Sequence, residues 1–140
     1  MPRYLLDTNV LSELVRPVPE GRVLRWFERQ VPVDLYLSSI TLGELVRGIV
    51  RLPDGRRRVA LSRWVSRDLR DQFEGRLLPF DEQAAGIWGT IMGECDRRGR
   101  PRAGADAQIA AIAIRFDVVV VTRNTADFAN MRVKMVNPWM

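Results

Sequence analysis

The sequence predicts an α/β fold, a mostly parallel sheet covered by helices on both faces. Three observations carry that expectation. Val118-Val119-Val120-Val121 is a continuous β-branched run without polar alternation, the pattern of a strand buried on both sides. Short apolar runs alternate along the chain with stretches whose apolar residues recur at helical spacing. All eight prolines stand where one pattern stops or the next begins.

Taken in order, Tyr4-Leu5-Leu6 reads as a short buried strand that runs into a helix starting near Asn9. Val23, Leu24, Trp26 and Phe27 mark a second helix ahead of Pro32, and Leu35-Tyr36-Leu37 a second strand. Leu42, Leu45, Val46, Ile49 and Val50 repeat at helical spacing, as do Leu61, Trp64, Val65, Leu69 and Phe73. Leu77-Leu78 is a third strand candidate. A long helix follows with Ala84, Trp88, Ile91, Met92 and Cys95 on one face, then a basic loop and a helix from about Ala103 to Phe116. The four-valine strand comes next. Trp26, Trp64 and Trp88 sit in apolar stripes and are expected in the core or a dimer interface.

The chain has 140 residues, 46% of them hydrophobic and 28% charged, so residues 1–140 are expected to form one globular domain that needs no staple. The net charge is +5, and every basic residue except Lys134 is arginine. This favours phosphate-rich partners, because the planar guanidinium binds phosphate through two parallel hydrogen bonds. There is no histidine and one cysteine, Cys95. Histidine-based hydrolases and ribonucleases, cysteine–histidine proteases, the usual zinc hydrolases and intramolecular disulfides are thereby excluded. Carboxylates must carry any hydrolytic chemistry. Met1 to Asp7 lacks the apolar segment of a signal peptide and no apolar run approaches the roughly 18 residues of a membrane span, so a cytoplasmic protein without a membrane partner is expected.

In parallel sheets the site lies beyond the carboxyl ends of the strands. Asp7 stands there, directly after Tyr4-Leu5-Leu6, and is equally suited to capping the helix that follows. Thr41-Leu42-Gly43-Glu44 matches a capping box, and helical stepping puts Glu44 opposite its helix's apolar stripe, so a cap or a solvated face is the plain reading of Glu44. Asp106 differs. The same stepping surrounds it with Ile109, Ala110, Ala113 and Ile114, and a carboxylate on an apolar face needs a partner, a proton or a metal. Asn124 and Asp127 follow the four-valine strand, where a turn or a cap would also account for them.

If Asp7, Glu44, Asp106 and one of Asn124 or Asp127 converge, their mutual repulsion calls for a divalent cation, and all-oxygen donors select Mg²⁺ or Mn²⁺. An acidic metal centre in a basic protein suits phosphodiester hydrolysis. Arg97, Arg98, Arg100 and Arg102, just ahead of the Asp106 helix, are candidate phosphate contacts, with Arg47, Arg51, Arg56, Arg57 and Arg58 a second cluster.

Asp7-Thr8-Asn9-Val10-Leu11-Ser12-Glu13, Thr41-Leu42-Gly43-Glu44-Leu45, Ala105-Asp106-Ala107-Gln108-Ile109-Ala110-Ala111, Val121-Thr122-Arg123-Asn124 and Asn137-Pro138-Trp139 together resemble the PIN-domain ribonucleases, specifically the VapC-type toxins of bacterial toxin–antitoxin pairs. The ordered set spans nearly the whole chain. The resemblance implies a three-layer α/β/α fold, a Mg²⁺-dependent endoribonuclease acting on RNA, a homodimer and inhibition by a cognate antitoxin protein. By position, Asp7, Glu44 and Asp106 look like the core acids that hold the metal, with Thr8, Asn9 and Thr122 orienting ligands and water. Where many relatives carry a fourth acid, this chain has Asn124, with Asp127 three residues further on. The competing expectation is a non-catalytic nucleic-acid-binding module whose acids only cap helices. A D-x-D phosphotransferase is disfavoured, because Asn9 stands where the second aspartate is needed.

Overall fold

The computed structural model describes residues 2–100 and 104–140. The strands are β1 (Tyr4–Leu6), β2 (Leu35–Ser38), β3 (Leu77–Leu78), β4 (Val119–Val121) and β5 (Met135–Val136). Their order in the sheet is β3-β2-β1-β4-β5, and each pairing is parallel, with Leu5 opposite Tyr36 on one side and Val120 on the other. The helices are α1 (Thr8–Leu14), α2 (Gly21–Glu28), α3 (Ser39–Val50), α4 (Arg56–Arg63), α5 (Arg70–Gln72), α6 (Glu82–Arg97) and α7 (Asp106–Phe116). No helix among the described residues is long and apolar enough to cross a membrane.

Successive strand residues point to opposite faces of a sheet, and here each face meets its own helix layer. Leu5 and Val120 pack with Ala84, Ile91, Ile109 and Ile112 of α6 and α7. Leu6 and Val121 pack instead with Val10, Val23, Leu45, Leu69 and Phe73 from the α1 to α5 side. The result is the expected three-layer α/β/α sandwich, with β1 in the middle of the sheet and the valine strand β4 beside it. Burial of each large side chain in these layers contributes about 1.5–3 kcal/mol.

Several elements differ from their sequence expectation for identifiable reasons. Val118 leaves the strand because its N–H closes α7 on the Ala113 carbonyl at 3.0 Å, with Asp117 left-handed at φ 54°. The helix before it starts at Asp106, since Gly104 at φ 87° cannot continue a right-handed helix; Ala103 lies outside the described residues. Arg97, the first residue of the basic run, is the last residue of α6. In α3, Leu45 and Ile49 are buried, whereas Val46 and Val50 are exposed at 43% and 57%. Between α4 and α5 the chain forms a π-helical stretch, Trp64–Leu69. Val65, Leu69 and Phe73, each four residues apart, form one buried line along this stretch and past α5. The edge strand β5 has only two residues and no apolar run to announce it.

Candidate active site

At the middle of the sheet the chain leaves β1 toward β2 and leaves β4 toward β5, in opposite directions. Such a switch opens a crevice beyond the carboxyl ends of the two central strands. Asp7 sits there, 5% exposed, and answers both readings of its position. It is the N-cap of α1, one carboxylate oxygen accepting from the Thr8 N–H at 2.8 Å. The other accepts from the Thr122 hydroxyl at 2.7 Å, across from β4.

Thr122 is fully buried and its hydroxyl is saturated. It donates to Asp7 and accepts from the Asn9 amide at 3.2 Å and from the Asn124 N–H at 3.0 Å, the one donor and two acceptors a hydroxyl has. The Asn9 side-chain oxygen accepts in turn from the Arg123 N–H at 3.3 Å. This network fixes the loop after β4 against the start of α1.

Glu44 does not cap its helix. Strand β2 passes directly into α3 at Ser38, whose Oγ accepts from the Thr41 N–H at 2.9 Å, so Thr41 lies inside the first turn and the expected capping box does not form. Glu44 is therefore a second-turn residue, and its Oε1 accepts from the Thr8 hydroxyl at 2.7 Å. Asp106 is the first residue of α7, half-buried, at the helix end rather than amid its apolar stripe.

Asp7, Glu44, Asp106 and Asn124 line one open cleft of about 610 Å³, together with Thr8, Asn9, Ser12, Glu13, Arg16, Arg57, Arg123 and Trp139. Asp127 is exposed on the short 3₁₀ turn Thr125–Phe128 and is not among the lining residues. Its charge still reaches Asp7. Burial pushes the Asp7 carboxyl above the ordinary aspartate range; the hydrogen bonds from Thr122 and Thr8 oppose this, while the charges of Glu44 and Asp127 add to it. A carboxylate so placed gains from a cation beside it.

The donor chemistry fits a hard divalent ion. Among the described residues no three Asp, Glu or Cys side chains gather tightly enough to hold a metal unaided. Mg²⁺ does not need such a cage, since it is commonly held by one or two carboxylates, with water and substrate phosphate completing the shell.

Of the arginines singled out in sequence, Arg97, Arg98 and Arg100 do not line this cleft; Arg97 and Arg98 border a separate depression with Glu94. Arg102 lies outside the described residues. The cations that do line it are Arg16, Arg57 and Arg123, and of these only Arg57 belonged to a recognised basic cluster. Arg16 is held by Glu13 at 3.2 Å. Glu13 is 6% exposed and also accepts from the Glu20 N–H at 3.0 Å. Arg16 lies just past the end of α1, and its three-residue spacing from Glu13 is the one sequence signal for the pair.

The PIN domain family model matches residues 4–134. The chain is 40% identical to Toxin FitB of Neisseria gonorrhoeae over 135 residues, covering 96% of this chain and 97% of that one. It is 36% identical to VapC ribonuclease Y4jK of Sinorhizobium fredii, covering 96% of each. The crystal structure of FitAcB from Neisseria gonorrhoeae superposes with a TM-score of 0.90 at 40% identity, covering 97% of this chain and 98% of that one. A match over nearly the whole length, on a fold with its acids at the central switch point, places the chain: it belongs to the PIN-domain family, among its VapC-type toxins.

Proposed function

We propose that this protein is a Mg²⁺-dependent endoribonuclease, with Mn²⁺ able to substitute, and that it acts in the cytoplasm as the toxin of a toxin–antitoxin pair. The observation that carries this is the placement of Asp7. It is a buried carboxylate with a raised pKa at the β1/β4 switch, in one cleft with Glu44, Asp106 and Asn124, inside a fold whose relatives include a named VapC ribonuclease.

Asp7 and Asp106 would hold the ion, with Glu44 binding directly or through water. When bound, Mg²⁺ supplies Lewis-acid activation of water and neutralises charge developing on the phosphate. The chain's own groups do the rest. Thr122 fixes the Asp7 carboxylate by a hydrogen bond that favours its ionised form, and the Thr8 hydroxyl donates to Glu44 and positions it. Asn124 offers an amide oxygen where a fourth acid would stand, which lowers the negative charge of the cleft by one. Arg16, Arg57 and Arg123 supply cations for the phosphates flanking the cut. A small antitoxin would inhibit by covering this cleft, and a homodimer is the proposed assembly.

The test is incubation of total RNA with purified protein in Mg²⁺ and in EDTA. Discrete cleavage products in Mg²⁺ and intact RNA in EDTA are expected. Equal RNA binding in both conditions with no cleavage in either would favour a non-catalytic binding module.

A further inference from the structure

Trp139 is the penultimate residue, yet it is neither a free tail nor a core side chain. Its ring is half-buried and borders the carboxylate-bearing cleft. The Arg123 guanidinium lies over it, with Cζ 5.4 Å from the ring centroid, within cation–π range. The backbone of this terminal turn is tied down on both sides. The Trp139 N–H donates to the Asn137 side chain at 2.9 Å, and Arg22 donates to the Trp139 carbonyl, also at 2.9 Å. The Asn137 amide reaches the Arg123 carbonyl at 3.4 Å, linking the two members of the pair.

An aromatic ring and a planar guanidinium, held here one over the other, are the two surfaces on which proteins stack unpaired RNA bases. Here they are fixed before substrate arrives, so little side-chain freedom is lost on binding. They share the cleft with the acids and with Arg16 and Arg57, so a strand whose phosphate reaches the carboxylates has a base within the same opening. We propose that Trp139 and Arg123 form a nucleobase platform that stacks one unpaired base of the RNA substrate beside the scissile phosphate. This rests on the nuclease reading and extends it: the substrate is single-stranded at that position, and the platform selects for the presence of a base there.

The experiment measures binding of a short single-stranded RNA to the full chain by fluorescence anisotropy in EDTA, alongside cleavage of the same RNA in Mg²⁺. The RNA is used intact and with each nucleotide in turn made abasic. With wild-type protein, loss of the base at one position should weaken binding about 5- to 150-fold, the span of a single base-on-aromatic stack. Trp139→Ala should lose the same factor on intact RNA and lose nothing further when that base is removed. Trp139→Phe, which keeps an aromatic face and guards against misfolding, should retain most of the affinity. If Trp139→Ala binds and cuts the intact RNA as wild type does, or weakens intact and abasic RNA equally, the platform is overturned while the nuclease reading stands. RNA neither bound nor cut by the wild-type chain would overturn both.

Discussion

The burial of Asp7 and its hydrogen bonds pull its carboxyl in opposite directions. Burial among other acids raises its pKa, so the folded chain holds the Asp7 proton more tightly than the unfolded chain does. Its contribution to stability is therefore fullest below the ordinary aspartate pKa and is lost as pH rises through the raised folded value. In metal-free protein, Asp7→Asn should melt above wild type at neutral pH, and the gap should close in acid; thermal melts in EDTA across pH check this. The position of Asp7 after a strand was legible in the sequence. Its bond to Thr122, 115 residues away, was not, since only the β1/β4 pairing creates it. The cleft arginines were hidden for a similar reason: Arg16 and Arg123 stand singly in sequence and meet only when α1 and the loop after β4 converge.

Among the elements, α3 shows how a local motif yields to its neighbour. Thr41-x-x-Glu44 matches a capping box, but the helix starts where β2 ends, and Ser38 takes the cap. The displaced Glu44 is then available to the cleft. Ser38→Ala should cost about 0.5–2 kcal/mol, as loss of a buried serine N-cap does, and denaturant melts should show it. Thr41→Val should leave the N-terminus of α3 capped. The strands β1, β2, β3 and β4 and the long helices were legible because periodicity and proline boundaries agree there. The two-residue strand β5 was not, because its pairing depends on backbone contacts such as Val120 N–H to Lys134 O at 2.9 Å rather than on its own composition. The alanine-rich sequence around Gly104 hides the start of α7, because the left-handed backbone of Gly104 sets the boundary and brings Asp106 to the helix end.

The whole molecule joins a basic surface, net charge +5, to an acidic cleft rimmed by Arg16, Arg57 and Arg123. Charge of this kind supplies affinity and rate without sequence information. RNA binding should weaken steeply with salt, and Arg57→Ala should lower the slope of log K against log salt by about 0.7, the effect of one lost phosphate contact on a single strand. An unchanged slope would place Arg57 outside the phosphate path. The fold class was legible from the continuous valine run and the alternation of strands and helices. The cleft needed the order β3-β2-β1-β4-β5, which sets Asp7 and Thr122 side by side at the one place where the chain reverses its direction of winding.

Catalysis by the acids of the cleft is tested by single-turnover cleavage of RNA in Mg²⁺ by wild type, Asp7→Asn and Asp106→Asn, each confirmed folded by its melt. Cleavage by wild type and a loss of at least about a hundredfold in each variant are expected. Cleavage at the wild-type rate by either folded variant would contradict it and move the chemistry away from the switch point between β1 and β4.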